Sequence, residues 1–172
     1  MSVKQILTEP NKLLRQISKP VEKVGDEERV VMDDMLDTMY AAPGIGLAAI
    51  QIGVPKRIIV MDISREEDKK EPMYFVNPVI KNKNKDKSKY EEGCLSVPDQ
   101  FAEIERPNAC EVEYLDYYGK KQLLKAEGLL ATCIQHEMDH LEGILFIDYL
   151  SKLKKSMIIK KLSKIKTKRI IV

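Results

Sequence analysis

The sequence predicts an α+β fold, in which mainly antiparallel β-strands pack around a central metal-bearing helix, with a further helix near each end of the chain. Three observations support this prediction. Both histidines lie in one segment with helical spacing, two other segments place apolar residues at helical spacing, and four short segments have the composition of strands. No repeat or linker interrupts the 172 residues, so we expect a single domain over residues 1–172.

The N-terminal helix is predicted to begin at Asp26, which can act as its N-cap with Glu27 and Glu28 in the first turn. An apolar stripe follows, and we expect it to pack on the core rather than to bind a ligand. The stripe consists of Met32, Met35, Leu36 and Met39.

Strands are predicted at residues 57–63, 73–80, 110–116 and 120–125, and a turn at residues 117–119 joins the last two. From Lys81 to Lys89 lysine alternates with polar residues. We expect a solvated, mobile loop there.

The central helix is predicted over residues 129–141 and carries the segment His136-Glu137-Met138-Asp139-His140. Residues four apart lie one above the other on a helix, so both imidazoles can reach one metal ion while Glu137 addresses a water molecule on that ion. A chance pair of surface histidines is the alternative. It is disfavoured because both histidines share the apolar face, and Gly143 can end the helix in a left-handed conformation. The apolar face also holds Leu129, Leu130, Cys133, Ile134 and Leu141, and the opposite face holds Thr132, Gln135, Asp139 and Glu142.

A catalytic ion of this kind takes three protein ligands and keeps one position for water. Position 146 is Phe and residues 149–172 contain no acid, so the downstream ligands of two known H-E-x-x-H patterns are missing. The third ligand is therefore expected upstream, and cysteine is the natural candidate. Cys133 lies in line with the histidines and Cys110 lies in a strand, whereas Cys94 lies after Gly93 in a sharply turned segment where a thiolate can approach an ion.

A third segment, residues 43–55, combines little side-chain bulk with one polar group, Gln51. Gly44 and Gly46 suit the close approach of another backbone. A phosphate-binding loop is the weaker interpretation, because the G-x-G-x-x-G spacing and the Walker lysine are both missing.

Three segments, in this order, resemble the three motifs of the peptide deformylases. They are Gly44-Ile-Gly-Leu-Ala-Ala-Ile-Gln51, Glu92-Gly-Cys-Leu-Ser96 and Gln135-His-Glu-Met-Asp-His140. The resemblance extends over essentially the whole chain, and the long C-terminal helix resembles the bacterial type I class. It implies hydrolysis of the formyl group from the N-terminal N-formylmethionine of newly synthesised polypeptides, with release of formate.

The site residues follow from the motifs and from this resemblance. Cys94, His136 and His140 are expected to hold one divalent ion per chain, which the resemblance implies is Fe²⁺ in the cell, although zinc, nickel or cobalt can occupy the same ligands. Glu137 is the expected general base and then general acid. The resemblance implies that Gln51 and the backbone N–H of Leu95 stabilise the oxyanion.

The formyl-methionyl end of a nascent polypeptide is the expected partner of this site. Gly44 and Gly46 would let its backbone pair like an added strand. Further residues are expected to bind the substrate, several of them around the methionine side chain: Ile45, Gly93, Leu129, Thr132 and Cys133.

The composition favours a cytoplasmic protein without a membrane partner, and we expect it to be a monomer. The first ten residues lack the apolar core of a signal peptide and the character of a transit peptide, and no apolar run is long enough to cross a bilayer. Three dispersed cysteines argue against a disulfide framework.

The C-terminal helix is predicted from Ser151, which can cap it, and it is strongly basic. Residues 151–172 hold nine Lys or Arg and no acid, so the remaining 150 residues carry a net charge of −7 within a total of +2. Ile158, Leu162 and Ile165 form an apolar stripe of moderate amphipathicity. A solvated helix paired with the acidic body is one interpretation. The resemblance to the bacterial class favours docking on the ribosome, on RNA or protein near the exit tunnel.

Two other functions stay open from the residues alone. A general H-E-x-x-H metallopeptidase would need an open cleft on both sides of the scissile bond. A nucleic-acid-binding module with structural zinc would close its site with four protein ligands, which would leave Glu137 without a purpose.

Overall fold

The structure, a computed structural model, describes residues 2–64 and 68–171, with side chains described up to Lys164. It has an α+β fold with mostly antiparallel strands and three helices, as predicted. The elements are α1 (Asp26–Ala41), β1 (Gly46–Ala48), β2 (Ile58–Met61), β3 (Met73–Lys83), β4 (Lys87–Cys94), β5 (Val97–Pro107), β6 (Ala109–Leu115), β7 (Lys121–Glu127), α2 (Gly128–Leu141) and α3 (Lys152–Ile171). Short 3₁₀ turns lie at Lys12–Arg15, Ala49–Ile52 and Phe146–Tyr149.

Five strands form one antiparallel sheet in the order β1-β2-β3-β6-β7, and this sheet separates two apolar clusters. Successive side chains of a strand point to opposite faces, and β2 uses both faces. Ile58 and Val60 pack with the methionines of α1, whereas Ile59 and Met61 pack with Ala131 and Ile134 of α2. The sheet therefore carries α1 on one face and α2 on the other.

The N-terminal helix confirms the predicted apolar stripe, since Met32, Met35 and Met39 are fully buried. Its N-cap is Gly25 rather than Asp26. The carboxylate of Glu28 accepts a hydrogen bond from the backbone N–H of Gly25 at 2.9 Å, so the side chain at the third helical position does the capping.

Helix α2 has the predicted extent and ends before Gly143, which adopts φ +73°. A Cβ at this position would collide with the backbone oxygen of Arg15, so glycine is required both by its conformation and by packing. The predicted polar face is partly wrong, because Thr132 and Gln135 are buried. Gln135 Nε2 donates to the carbonyl of Pro107 at 2.9 Å, which satisfies its buried amide.

The segment Lys81 to Lys89 is exposed almost throughout, as predicted, but most of it is strand rather than loop. Strand β3 continues to Lys83, and β4 pairs with β5 in a separate two-stranded sheet. The two chain segments that join the sheets run side by side. The backbone N–H of Asn84 donates to Ala109 at 2.9 Å, and the Asn84 side chain donates to that of Asn108 at 2.8 Å.

A third apolar cluster joins β5 to the first half of α3. It consists of Val97, Ile104, Leu145, Phe146, Ile147 and Leu162, with Ile158 and Ile159 packed against it. Lys155 adds an ion pair to Asp148 at 2.7 Å. Two of the predicted stripe residues are thus packed, and the side chain of Ile165 lies outside the described residues. In the described part of the chain, no helix is long and apolar enough to cross a membrane.

Candidate metal centre and substrate cavity

The candidate metal ligands come from two parts of the fold. Cys94 is the last residue of β4, and His136 and His140 lie one turn apart on α2. One ligand atom from each of the three lies within 4.8 Å of the others, and Cys94 Sγ is 3.4 Å from His140 Nε2. The structure therefore brings together the three residues that the sequence selected as ligands.

The donors fit a divalent transition ion. The three ligand atoms are one thiolate sulfur and two imidazole nitrogens, a set that suits iron(II), zinc, nickel or cobalt. Both histidines are buried, so their rings need polar partners, yet Nδ1 of His140 has none among the described residues. No fourth protein ligand joins the cluster in the described residues, which is typical of a catalytic rather than a structural site.

A buried chain of charges orients the first histidine. Glu92 Oε1 lies 2.8 Å from His136 Nδ1, and Arg106 donates to both oxygens of Glu92, at 2.7 and 3.0 Å. Arg106 also donates to Asp139 at 2.8 Å, and the hydroxyl of Tyr149 donates to the same Asp139 oxygen at 2.7 Å. Because Nδ1 is bonded to Glu92, Nε2 is the nitrogen of His136 that could ligate an ion.

The same contacts set the charges of these groups. Burial opposes the shift, but hydrogen bonds with His136 and Arg106 lower the pKa of Glu92, which stays ionised at neutral pH. Burial is likewise outweighed at His136, where hydrogen bonds to Cys94 and Glu92 raise the pKa of the imidazole. At His140, burial and the neighbouring His136 lower the pKa. The ring of His136 is thus held between Cys94 and Glu92, whereas the ring of His140 stays neutral.

Glu137 is buried beside the ligands. Its Oε2 has no hydrogen-bond partner among the described residues, and burial raises the pKa of Glu137 to about 7. Gly46 makes room for it, because a Cβ at Gly46 would lie 2.6 Å from Glu137 Oε1. An unpartnered buried carboxyl is costly to maintain. The position of Glu137 therefore indicates a role in a reaction rather than a contribution to the stability of the fold.

Gln51 is held on both sides of its amide. Its Oε1 accepts from the backbone of Ala48 at 2.9 Å, and its Nε2 donates to Ser96 Oγ at 2.9 Å and lies 3.6 Å from Cys94 Sγ. These contacts fix the side chain next to the ligand cluster.

Leu95 follows Cys94 and packs closely on Gly44. A Cβ at Gly44 would lie 2.6 Å from Leu95 Cδ1. Gly44 and Gly46 are therefore packed against the side chains of Leu95 and Glu137, respectively, rather than against another backbone of the protein.

A cavity of about 640 Å³ opens in front of the ligands. It is lined by every candidate site residue from the sequence except His140. The candidates on its wall are Gly44, Ile45, Gly46, Gln51, Gly93, Cys94, Leu95, Leu129, Thr132, Cys133, His136 and Glu137. Burial raises the pKa of the Cys133 thiol, which stays neutral.

Sequence reasoning missed the groups behind the ligands and part of the cavity rim. Glu92 and Asp139 lie inside the recognised motifs, so their place beside the ligands could have been anticipated. Nothing in the sequence around Arg106 indicated that it would contact them. Tyr90, Val97 and Phe101 also line the cavity and were not anticipated, because the strands that carry them were not predicted.

Comparisons with known proteins show what the chain is similar to. A family model described as polypeptide deformylase matches residues 3–156. A peptide deformylase of Pelagibacter ubique (strain HTCC1062) is 91% identical over 172 residues and covers 100% of each chain. Another, from Phenylobacterium zucineum (strain HLK1), is 61% identical over 164 residues, which is 95% of this chain and 97% of that protein. A crystal structure of peptide deformylase from Ehrlichia chaffeensis in complex with actinonin has a TM-score of 0.90 at 48% identity, over 95% of this chain and 98% of that one.

Proposed function

The chain belongs to the polypeptide deformylase family, and we propose that Cys94, His136, His140 and Glu137 form its catalytic centre. Its reaction is the hydrolysis of the formyl group from the N-terminal N-formylmethionine of newly synthesised polypeptides. Family membership thus decides between this reaction and the two alternatives, a general peptidase and a zinc-binding module. One observation carries the proposed centre: three ligand atoms within 4.8 Å of one another, beside a buried and unpartnered Glu137 oxygen.

Cys94, His136 and His140 would hold one divalent ion, and we propose Fe²⁺ in the cell. The donor set is compatible with iron and equally with zinc, nickel or cobalt, so the choice of iron rests on the family resemblance. When bound, such an ion supplies a Lewis acid that makes hydroxide available near neutral pH. Since two of the three ligands project from α2, we further propose that α2 is the central metal-bearing helix of the fold.

Glu137 is proposed to move the proton. Its pKa, raised to about 7 by burial, is close to the value at which a carboxyl can both accept and return a proton at neutral pH. Glu137 would take the proton from the attacking water and deliver it to the departing amine. The unpartnered Oε2 is the atom available for both steps.

Gln51 and the backbone N–H of Leu95 are proposed to stabilise the oxyanion that forms on the formyl carbonyl. The Nε2 of Gln51 lies beside Cys94, and Leu95 directly follows Cys94 in the chain. A donor of this kind typically contributes about 3 kcal/mol of barrier lowering.

The substrate backbone is proposed to pair along the segment that contains Gly44 and Gly46, where β1 forms one edge of the five-stranded sheet. An edge strand offers free backbone groups to an incoming peptide. The methionine side chain would enter the cavity near Ile45, Gly93, Leu129, Thr132 and Cys133, which all line it.

We also propose that the chain acts as a monomeric, single-domain cytoplasmic enzyme and that α3 docks on the ribosome. Ile158 and Leu162 are packed against the body, so the exposed lysines of α3 are left on its outer side. These lysines include Lys152, Lys154, Lys160, Lys161 and Lys164. A surface of this charge is suited to the phosphates of RNA.

The direct test is formate release from a formyl-Met-Ala peptide by anaerobically purified, iron-loaded protein. We expect turnover on the formylated peptide and none on its unformylated counterpart. Cleavage of the peptide backbone in the unformylated peptide would instead indicate a general metallopeptidase.

A further inference from the structure

Phe101 differs from the other phenylalanines of the chain. There are three phenylalanines and no tryptophan, and Phe75 and Phe146 are each 1% exposed. Phe101 is 66% exposed. A single exposed apolar side chain is ordinary at a protein surface, so the significance of Phe101 depends on where it lies.

The position of Phe101 connects it to the active site. On the β4–β5 ribbon it is paired with Gly93, the residue before Cys94. A Cβ at Gly93 would lie 2.6 Å from Cε1 of Phe101, so the ring lies against the backbone of Gly93. Both residues line the cavity in front of the metal ligands. The ring is therefore a wall of the substrate cavity near its mouth.

A second apolar side chain lies near the mouth of the cavity. Ile45 lines the same cavity from the chain just before β1 and is 46% exposed. The interior of the cavity, together with Ile45, is assigned above to methionine, so the exposed part of Phe101 is left for the residues that follow it. An extended peptide advances about 3.3 Å per residue with side chains alternating in direction, so its next residues stay within reach of the rim.

We propose that Phe101 is a specificity-determining residue, which contacts a side chain of the first two residues after formylmethionine and favours large apolar side chains there. This inference rests on the proposed function and concerns the choice of peptide, not the hydrolytic step. Contact with a flat aromatic surface suits Leu or Phe, whereas Ser or Gly would leave the ring exposed to water.

A purely structural role makes a different prediction. An aromatic ring over a glycine can protect the pairing of two strands, and Phe101 lies over Gly93 in this manner. Its removal would then lower activity on all formyl peptides alike, through misplacement of Cys94, without changing the preference among them.

The test is the ratio of kcat/KM for neutral formyl peptides that carry Phe or Leu, against Ser or Gly, at each of the two positions after formylmethionine. Uncharged peptides are used because Glu91 and Asp99 also line the cavity. We expect the iron-loaded wild-type enzyme to favour the large apolar side chains by about fivefold at one of the positions, mainly through KM.

Phe101→Ala and Phe101→Gln should reduce this ratio to near one, while Phe101→Leu retains most of it and keeps Gly93 covered. Tyr118→Ala is the control, since Tyr118 is 72% exposed and does not line the cavity. An unchanged ratio in both Phe101→Ala and Phe101→Gln, an equal loss on every peptide, or no preference in the wild type would each overturn the proposal. A failure of the proposed function is distinct, because no formyl peptide would then be hydrolysed.

Discussion

The two helices that carry the predicted functions differ in how they use their side chains. In α2, nine of 14 residues are buried, and two of the polar ones, His136 and Gln135, are held by Glu92 and by the carbonyl of Pro107. In α3, Leu162 is the buried side chain within the described part, and lysines face outward. We therefore expect the proposed catalytic centre on α2 to be sensitive to the position of single side chains. Ribosome binding through the net charge of α3 would instead be shared among many interchangeable lysines.

The largest effect is expected in α2, at Glu137. Glu137→Ala should keep its metal and lose at least about 10²- to 10⁴-fold in turnover, because the residue is proposed to move protons and not to ligate the ion. Metal content and formate release from the same preparation test this. A metal-free Glu137→Ala protein would contradict the assigned role.

The next effect concerns the thiolate. Cys94→Ala should weaken metal binding by more than the roughly 10- to 100-fold that loss of a group behind a ligand costs. Cys110→Ser and Cys133→Ala are the matched controls, since both thiols lie in the apolar cluster of the sheet, and they should keep about one ion per chain. Metal analysis decides the question, and loss of the ion from Cys133→Ala alone would refute the ligand assignment.

A substitution at Arg106 tests whether stability and metal binding depend on the buried ion pairs behind α2. Arg106→Gln would leave the Glu92 carboxylate buried without its bidentate partner, which we expect to cost about 3–5 kcal/mol in the free energy of unfolding. Metal affinity should fall by about 10- to 100-fold, because Glu92 then orients His136 less well. Chemical denaturation and metal titration measure the two effects. Wild-type metal affinity in the variant would show that the chain of charges has no role at the ion.

In α3 a smaller and more graded effect is expected. Changing Lys160, Lys161 and Lys164 to Glu should weaken salt-sensitive ribosome binding by about tenfold or more and reduce its salt dependence, while hydrolysis of short formyl peptides is retained. The same three-residue charge change at exposed Lys12, Lys23 and Lys121 is the control. Equal losses in both variants would indicate net charge alone.

Truncation after Leu150 is the obvious experiment on α3, but the structure argues against it. Such a protein would lose Ile158, Ile159 and Leu162 from the apolar cluster with Val97 and Phe146, and Lys155 from its ion pair with Asp148. Charge reversal leaves those contacts intact.

The smallest effect is expected where α3 joins the body, at Asp148. Arg15 and Lys155 each contact this carboxylate, at 2.6 and 2.7 Å, so Asp148→Asn should lower the free energy of unfolding by about 1–2 kcal/mol. Burial opposes the shift, but the hydrogen bonds from Arg15 and Lys155 lower the pKa of Asp148. The stabilisation is therefore complete above about pH 4 and is lost as the pH falls through the lowered pKa. Denaturation curves at several pH values should show a difference between wild type and variant that shrinks in acid.

The ligand cluster could be anticipated because its strongest signal is local. The spacing of His136 and His140 on a helix, and the turn at Cys94, are visible in short windows of sequence. The chain of charges behind the cluster could not, since Arg106 is 14 residues from Glu92 and 33 from Asp139. Such pairs are decided by tertiary packing.

The strands β4 and β5 were missed for a related reason. Strand β4 is mostly polar from Lys87 to Glu92, and β5 has only four apolar side chains besides its prolines, at irregular spacing, so neither strand shows an apolar alternation. Backbone pairing with β5 stabilises β4 instead. Thr132 and Gln135 were placed on a polar face because their types are usually exposed, yet the cavity and the carbonyl of Pro107 give each a buried environment.

The proposed metal ligands come from two separate parts of the fold, and this affects how long the protein survives in a cell. Cys94 comes from the two-stranded ribbon and the histidines from a helix 42 to 46 residues further on, so a bound ion would act as a cross-link between them. A ligand that binds only the folded state adds about 2.7 kcal/mol when its free concentration is a hundred times its dissociation constant. We expect a chelator to lower the melting temperature as well as the rate. Scarcity of the metal in a cell would then reduce the amount of the enzyme together with its activity, since unfolded chains are removed by proteolysis.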